Sequence, residues 1–151
     1  MSRLYEVLMV ILLAMMPISE LRGAIPYGIL VAKLDPLLVL VLSVIFNFLP
    51  VPFLLIFLHK IEEIAMRWEP TKKFIEKYFG KVRKRASKKV EIYEEIALIL
   101  FVAIPLPITG AWTGSVIAYL FDLDFKKSLL TIFLGILIAG VIVITITLFF
   151  S

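Results

Sequence analysis

The chain has 151 residues, 62% of them hydrophobic and 19% charged, with a mean hydropathy of +1.04. A soluble domain is about 45–50% apolar, so this excess excludes a water-soluble globule and indicates an integral membrane protein of one compact domain. The formal charge is +4 and there is no cysteine, which excludes disulfides and thiolate metal sites.

The first segment, residues 4–17, begins just after Arg3 and ends at Pro17. It imitates a signal peptide, but no small-x-small cleavage site precedes a soluble domain, so it is expected to be retained. As a helix it would rise about 21 Å, short of the roughly 30 Å hydrocarbon core. Glu6 is its one acid. One limb of a re-entrant hairpin suits this length better than a full span.

Residues 18–28 follow, with Glu20 and Arg22 two positions apart and then the run Gly23-Ala24-Ile25-Pro26-Tyr27-Gly28. The Gly-x-x-Pro-x-Gly spacing is expected to break any regular helix. Ionisable side chains and non-helical backbone persist in a bilayer only where protein or a water-filled cavity covers them. Glu20, Arg22, Gly23, Pro26 and Gly28 are therefore candidate site residues. A helix starting near Gly23 would present free N–H groups to an anion. Arg22 offers a bidentate grip on phosphate or carboxylate, and Glu20 offers a carboxylate able to change protonation state. The plainer alternative is that the two neutralise each other or face headgroups.

Residues 25–34 form a second short limb, closed by Lys33-Leu34-Asp35-Pro36. Asp35 suits an N-cap and Pro36 the first helical position. Residues 36–58 run without a formal charge for about 35 Å of helix, enough to cross. Pro50 and Pro52 are expected to kink this helix, and Asn47 is placed to bond across helices or simply to pack.

Residues 59–93 are different material, with eleven Lys or Arg against five Glu. Ile61, Ile64, Ala65 and Trp68, then Phe74, Ile75, Tyr78, Phe79 and Val82, recur at helical spacing. This predicts two amphipathic helices in the interface and a polybasic turn over residues 81–89. Anionic headgroups rather than nucleic acid are its natural partner. His59 reads as an interfacial polar residue.

The second half opens with Glu94 and Glu95, a short limb at residues 96–104, then Pro105, Pro107, Thr109, Gly110, Trp112, Thr113 and Gly114. These supply unwound backbone, two hydroxyls and an indole N–H facing the same cavity. Trp112 and Tyr27 also suit interfacial anchoring. A limb at residues 115–121, a polar turn with Asp122 and Asp124, and an apolar run at 128–150 complete the chain. Gly135 and Gly140 in that run permit close helix approach.

The halves share a plan of limb, break, limb, Asp-bearing turn and span. Gly23, Gly28, Ala32 and Leu34 echo Gly110, Gly114, Ala118 and Leu120. Interrupted apolar segments at matching places point to a transporter-type site. The predicted fold is an all-α integral membrane protein of two inverted repeats, each a re-entrant hairpin followed by a transmembrane helix. The first repeat covers residues 1–58 (hairpin 4–34, span 36–58). A basic linker occupies 59–93, and the second repeat covers 94–151 (hairpin 96–121, span 127–150). The linker and Lys126-Lys127 put thirteen cations on one side, so the linker is expected to be cytoplasmic and both termini outside in the cell membrane. Limb length, rather than charge, favours hairpins over full spans.

No His/Cys/carboxylate cluster, Gly-x-Ser-x-Gly elbow or phosphate loop is present, so neither enzyme activity, metal nor cofactor is expected. The segments 19–26 and 105–114 resemble the archaeal and bacterial family of small multidrug export proteins, over nearly the whole chain. Ile108 stands where that pattern leads one to expect glycine. The family is in turn similar to the DedA/VTT membrane proteins. That resemblance implies facing re-entrant hairpins, flipping or scrambling of lipids such as polyprenyl phosphates, and proton coupling through a first-hairpin Glu, which Glu20 matches. The arginines of the DedA second hairpin have no counterpart here. The expected function is a transporter or flippase, with membrane lipids, a small amphipathic substrate and protons as partners, working as a homo-oligomer. The alternatives are a proton-coupled exporter of cationic drugs and a non-transporting scaffold on anionic lipids.

Overall fold

The computed structural model describes residues 3–83 and 88–151. These form eight α-helices and no strand: α1 Arg3–Met15, α2 Glu20–Pro26, α3 Pro36–Phe48, α4 Pro50–Ala65, α5 Glu69–Arg83, α6 Lys88–Ala103, α7 Ala111–Leu120 and α8 Phe125–Phe149. A π-helical turn, Tyr27–Val31, continues α2.

Local chemistry sets several boundaries. Pro17 disfavours the α region for the residue before it, and α1 stops at Met15. The Asp35 carboxylate accepts from the Leu38 N–H at 2.9 Å, with Pro36 opening α3. Asp124 repeats the device before α8, accepting from the N–H groups of Lys126 at 3.0 Å and Lys127 at 3.2 Å. Both caps satisfy donors that a helix start leaves open.

The Gly-x-x-Pro-x-Gly run does not break the helix. Gly23, Pro26 and Gly28 all lie in the continuous stretch from Glu20 to Val31. Pro26 removes one backbone donor, and the wider π-turn follows it directly. The segment is largely buried, where every unmet backbone group is costly, so helix with a local π adjustment wins over an open loop. The break sits earlier, at residues 16–19, and ends on Glu20, whose φ of 50° is left-handed.

α3 and α4 join through one turn residue, Leu49, just before Pro50, in a helical run of 30 residues from Pro36 to Ala65. The span expected to end at residue 58 thus continues to Ala65. Ile61, Ile64 and Ala65 belong to its end rather than to a separate interfacial helix. α5 is the one linker helix, and α6 starts at Lys88, ahead of the expected 96. Part of the expected polybasic turn, residues 84–87, lies outside the described residues. α8 is the second run long and apolar enough to cross a membrane.

α8 is the central post. α6 packs along it, and α2, α3 and α7 also lean on it. α1 lies against α2 and α3, and α7 against α4. Buried Val10, Leu21, Ile25, Val39, Leu55, Val102, Ile132 and Ile136 join these helices in one core. Gly135 and Gly140 let α8 approach closely: a Cβ there would lie 2.6 Å from Val102 and 3.1 Å from Leu40. Leu37, Leu130, Val141 and Phe149 stand exposed on the outside, a costly surface in water and an ordinary one in lipid.

Candidate functional site

Glu20 opens α2 in the left-handed region, which turns its side chain inward until the residue is 3% exposed. A carboxylate so enclosed needs compensating partners. One comes from its own helix: Arg22 Nη1 lies 3.2 Å from Glu20 Oε2. Another comes from the second half, where the Trp112 N–H donates to Glu20 Oε1 at 3.3 Å, with the Ala111 N–H alongside. Those amides belong to the first turn of α7, the positive end of its dipole. The anion received there is the protein's own carboxylate.

Gly110 makes the approach possible. A Cβ at this position would lie 2.0 Å from Glu20 Oε2, so any larger residue would push the carboxylate away from the α7 N-terminus.

Arg22 ties the arrangement to the loop before α7. Its Nη2 donates to the Ile104 carbonyl at 3.2 Å and to Thr109 Oγ1 at 3.3 Å. Thr109 Oγ1 is 2.6 Å from the Ile104 carbonyl and 2.8 Å from that of Leu106, and it accepts from the Leu106 N–H at 3.2 Å. One hydroxyl proton serves one carbonyl at a time, so Thr109 fixes the loop while offering Arg22 an oxygen. The Trp112 indole N–H donates to the Met15 carbonyl at 3.2 Å, at the end of α1. Trp112 thus holds the two halves together through both its backbone and its side chain.

Beside the pair lies a cleft of about 220 Å³, lined by Pro17, Ile18, Glu20, Arg22, Pro107, Ile108, Gly110 and Thr113. Behind it is an enclosed gap with no room for water, lined among others by Glu20, Arg22, Ala111 and Asn47. Asn47 is 1% exposed, and its Oδ1 has no hydrogen-bond partner among the described residues. Arg22 Nε is likewise unpartnered.

Seven of the sequence-predicted residues meet here: Glu20, Arg22, Pro107, Thr109, Gly110, Trp112 and Thr113. Trp112, Thr113 and Gly114 are helical rather than unwound. Gly23 faces Ser19, Gly28 packs against Val39 and Val10, and Gly114 against Val102. These three are packing positions. Pro26 shapes the π-turn, and Pro105 lies outside the cleft lining. The expected anion site at Gly23 gives way to the α7 N-terminus. The Ile104 and Met15 carbonyls carried no signal in the sequence, because every residue has a carbonyl and only the fold selects these two. Tyr27, considered as an anchor, donates to Glu6 at 2.7 Å and pins the π-turn to α1. His59 Nδ1 is 2.8 Å from the Leu55 carbonyl, and its ring meets Tyr119 edge-on at 5.2 Å.

No curated protein and no solved structure matches this chain. A family model described as "Putative small multi-drug export protein" matches residues 20–142, from Glu20 itself through most of α8. With that match spanning both halves of the site, the chain belongs to the small multi-drug export protein family.

Proposed function

We propose that the protein is a membrane transporter with no chemical step of its own, working around the junction between α2 and the loop before α7. The observation that carries this reading is the Glu20 carboxylate, buried, received at the N-terminus of α7 and paired with Arg22 beside a cleft. A charge pair enclosed among apolar helices is costly and points to traffic of ions or polar groups.

The limbs are re-entrant hairpins in this proposal. α1 is about 20 Å long and α7 about 15 Å, against roughly 30 Å of hydrocarbon. Two inverted repeats are supported by matched contacts: α1 lies on α3 as α6 lies on α8, while α2 leans on α8 as α7 leans on α4. Left-handed residues also pair, Glu20 with Ile108 and Lys33 with Asp122, each of the latter two residues before a capping Asp. Kinship to the DedA/VTT proteins, a cytoplasmic linker and outside termini complete the proposal. The 3.2 Å ion pair of Lys127 with Glu95 supports placing the start of α8 beside the middle of α6, on the linker side. Substrates are small amphipathic molecules or lipids, with polyprenyl phosphate one example, and movement is coupled to protons at Glu20. We also propose a homo-oligomer.

The test is flux in liposomes carrying a pH gradient, with labelled polyprenyl phosphate, phospholipid and a cationic dye run side by side. Glu20→Gln is expected to abolish gradient-driven flux while expression and helicity persist. Unchanged pH dependence in that variant removes Glu20 as the coupling group.

A cationic-drug exporter is favoured by a second feature. An apolar slot of about 170 Å³ between α6 and α7 is lined by Ala97, Leu98, Phe101, Ile117, Phe121 and Leu123, with Glu94 at its edge. It would take an apolar ring and hold the cation at the carboxylate. Dye flux competed by protons and lost in Glu94→Gln selects this reading over the first.

A further inference from the structure

We propose that Glu20 is an internal stand-in for the protein's ligand. Its carboxylate fills an oxyanion site made by Arg22 and the first turn of α7, and an external oxyanion binds there only when a proton neutralises Glu20. This rests on the transporter reading and names its ligand class: a carboxylate, sulfonate or phosphate monoester.

The donors are of the kind that recognise an oxyanion. Trp112 N–H and Arg22 Nη1 both aim at Glu20 oxygens, and Gly110 leaves room for a group as large as a carboxylate. Arg22 keeps an unpartnered Nε, and the adjoining cleft of about 220 Å³ reaches the pair from the side of Pro17 and Pro107. While Glu20 is ionised, a second anion would meet a like charge and find its donors taken. Once Glu20 is protonated, the incoming oxyanion restores neutrality with Arg22.

The independent sign is Asn47. Its side chain is buried, lines the gap behind Glu20 and carries an acceptor, Oδ1, with no partner. An unmet buried acceptor costs stability, and a carboxylic acid O–H is the donor it lacks. A carboxylate takes the Asn47 amide N–H; a carboxylic acid, after the amide turns over, donates to its oxygen. Asn47 therefore serves both forms of Glu20 and is a positioning residue for the proton. The other neighbours do not titrate in this range: Arg22 on α2, Thr109 and Gly110 in the loop, the Ala111 and Trp112 amides on α7, Val102 on α6, Ile136 and Ala139 on α8.

The experiment measures binding of 4-fluorobenzenesulfonate, whose charge is constant across the range, to full-length protein in phosphatidylcholine nanodiscs by fluorine NMR. Affinity is expected to rise by about tenfold for each unit the pH falls, one proton entering per anion. Glu20→Gln should bind at every pH with the slope gone. Arg22→Gln should lose binding, and Arg22→Lys, which keeps the charge, should weaken it. Asn47→Leu removes the amide N–H that supports the carboxylate and should move the pH profile to higher pH; an unmoved profile removes Asn47 from the proposal. Wild-type affinity independent of pH, or loss of binding in a folded Glu20→Gln, overturns the proposal. Nanodiscs with phosphatidic acid separate the sources: displacement of the probe assigns the site to a lipid headgroup, and no displacement to a free anion. Proton-linked binding without flux keeps this site and removes the transporter reading; flux with binding that ignores pH does the reverse.

Discussion

The loops before α2 and α7 use one backbone device for opposite chemistry. Each carries a left-handed residue that is not glycine, Glu20 at φ 50° where α2 begins and Ile108 at φ 74° two residues before the α7 N-cap. In the first, that residue is 3% exposed and carries the buried charge; in the second it is 82% exposed and carries none. The first half supplies side-chain ions, and the second supplies amides, carbonyls and a hydroxyl. A site divided in this way exists only when the halves close on each other. The sharpest tests therefore remove one side's contribution and ask what the other does.

Arg22→Met carries the largest expected loss. It leaves the Glu20 carboxylate enclosed with only the α7 amides and Asn47 for support and deletes the bonds to Ile104 and Thr109. Breaking a buried pair on one side costs about 3–5 kcal/mol. Unfolding in mixed micelles, followed by helicity, should show it. Adding Glu20→Gln should recover a large part, since the uncompensated charge is gone. If the double variant is as unstable as the sum of the singles, the pair is not a unit.

Gly110→Ala comes next. Its Cβ would lie 2.0 Å from the carboxylate, so Glu20 must leave the α7 N-terminus or α7 must shift. Overpacking of this kind costs about 1–3 kcal/mol. With Glu20→Ala the space opens, and the two changes together should cost less than their sum. Additivity would place Gly110 away from Glu20.

What the sequence revealed and what it hid follow from range. Asp35 was legible as a cap because a cap depends on a few neighbouring residues, and it bonds as expected. Pro17 as a stop was legible for the same reason. Gly23, Pro26 and Gly28 misled, because their poor helix propensity is a comparison with water-exposed coil, and burial against α1, α3 and α8 removes that competitor. Of the echoing glycines, one pair sits in like surroundings and the other does not. Gly28 meets Val10 on α1 and Val39 on α3, just as Gly114 meets Val102 on α6 and Ile132 on α8. Gly23 and Gly110 do unrelated work, one beside Ser19 and the other beside Glu20. Asn47 was visible as an amide in an apolar run, but only the fold sets it behind Glu20.

The caps give a smaller and more even effect. Asp35→Ala and Asp124→Ala each remove a side-chain acceptor at the start of a long helix, at about 1 kcal/mol apiece. Near-equal losses in the same micelle titration would mark the two turns as equivalent parts of a repeat. A loss at one position alone would break that equivalence.

The smallest expected change is a gain. Ile108 is β-branched, exposed and held at φ 74°, a region that costs L-residues about 1–2 kcal/mol and glycine little. Nothing buried rewards the isoleucine, so Ile108→Gly should stabilise the protein by about 1 kcal/mol, less the extra freedom glycine has when unfolded. Glu20 sits in the same conformation, yet Glu20→Gly should destabilise, because there the side chain supplies the contacts that hold the halves together. If both glycine variants move stability in the same direction, backbone strain rather than the buried carboxylate governs the junction. Opposite signs separate a tip that merely turns the chain from one that turns it in order to bury a charge.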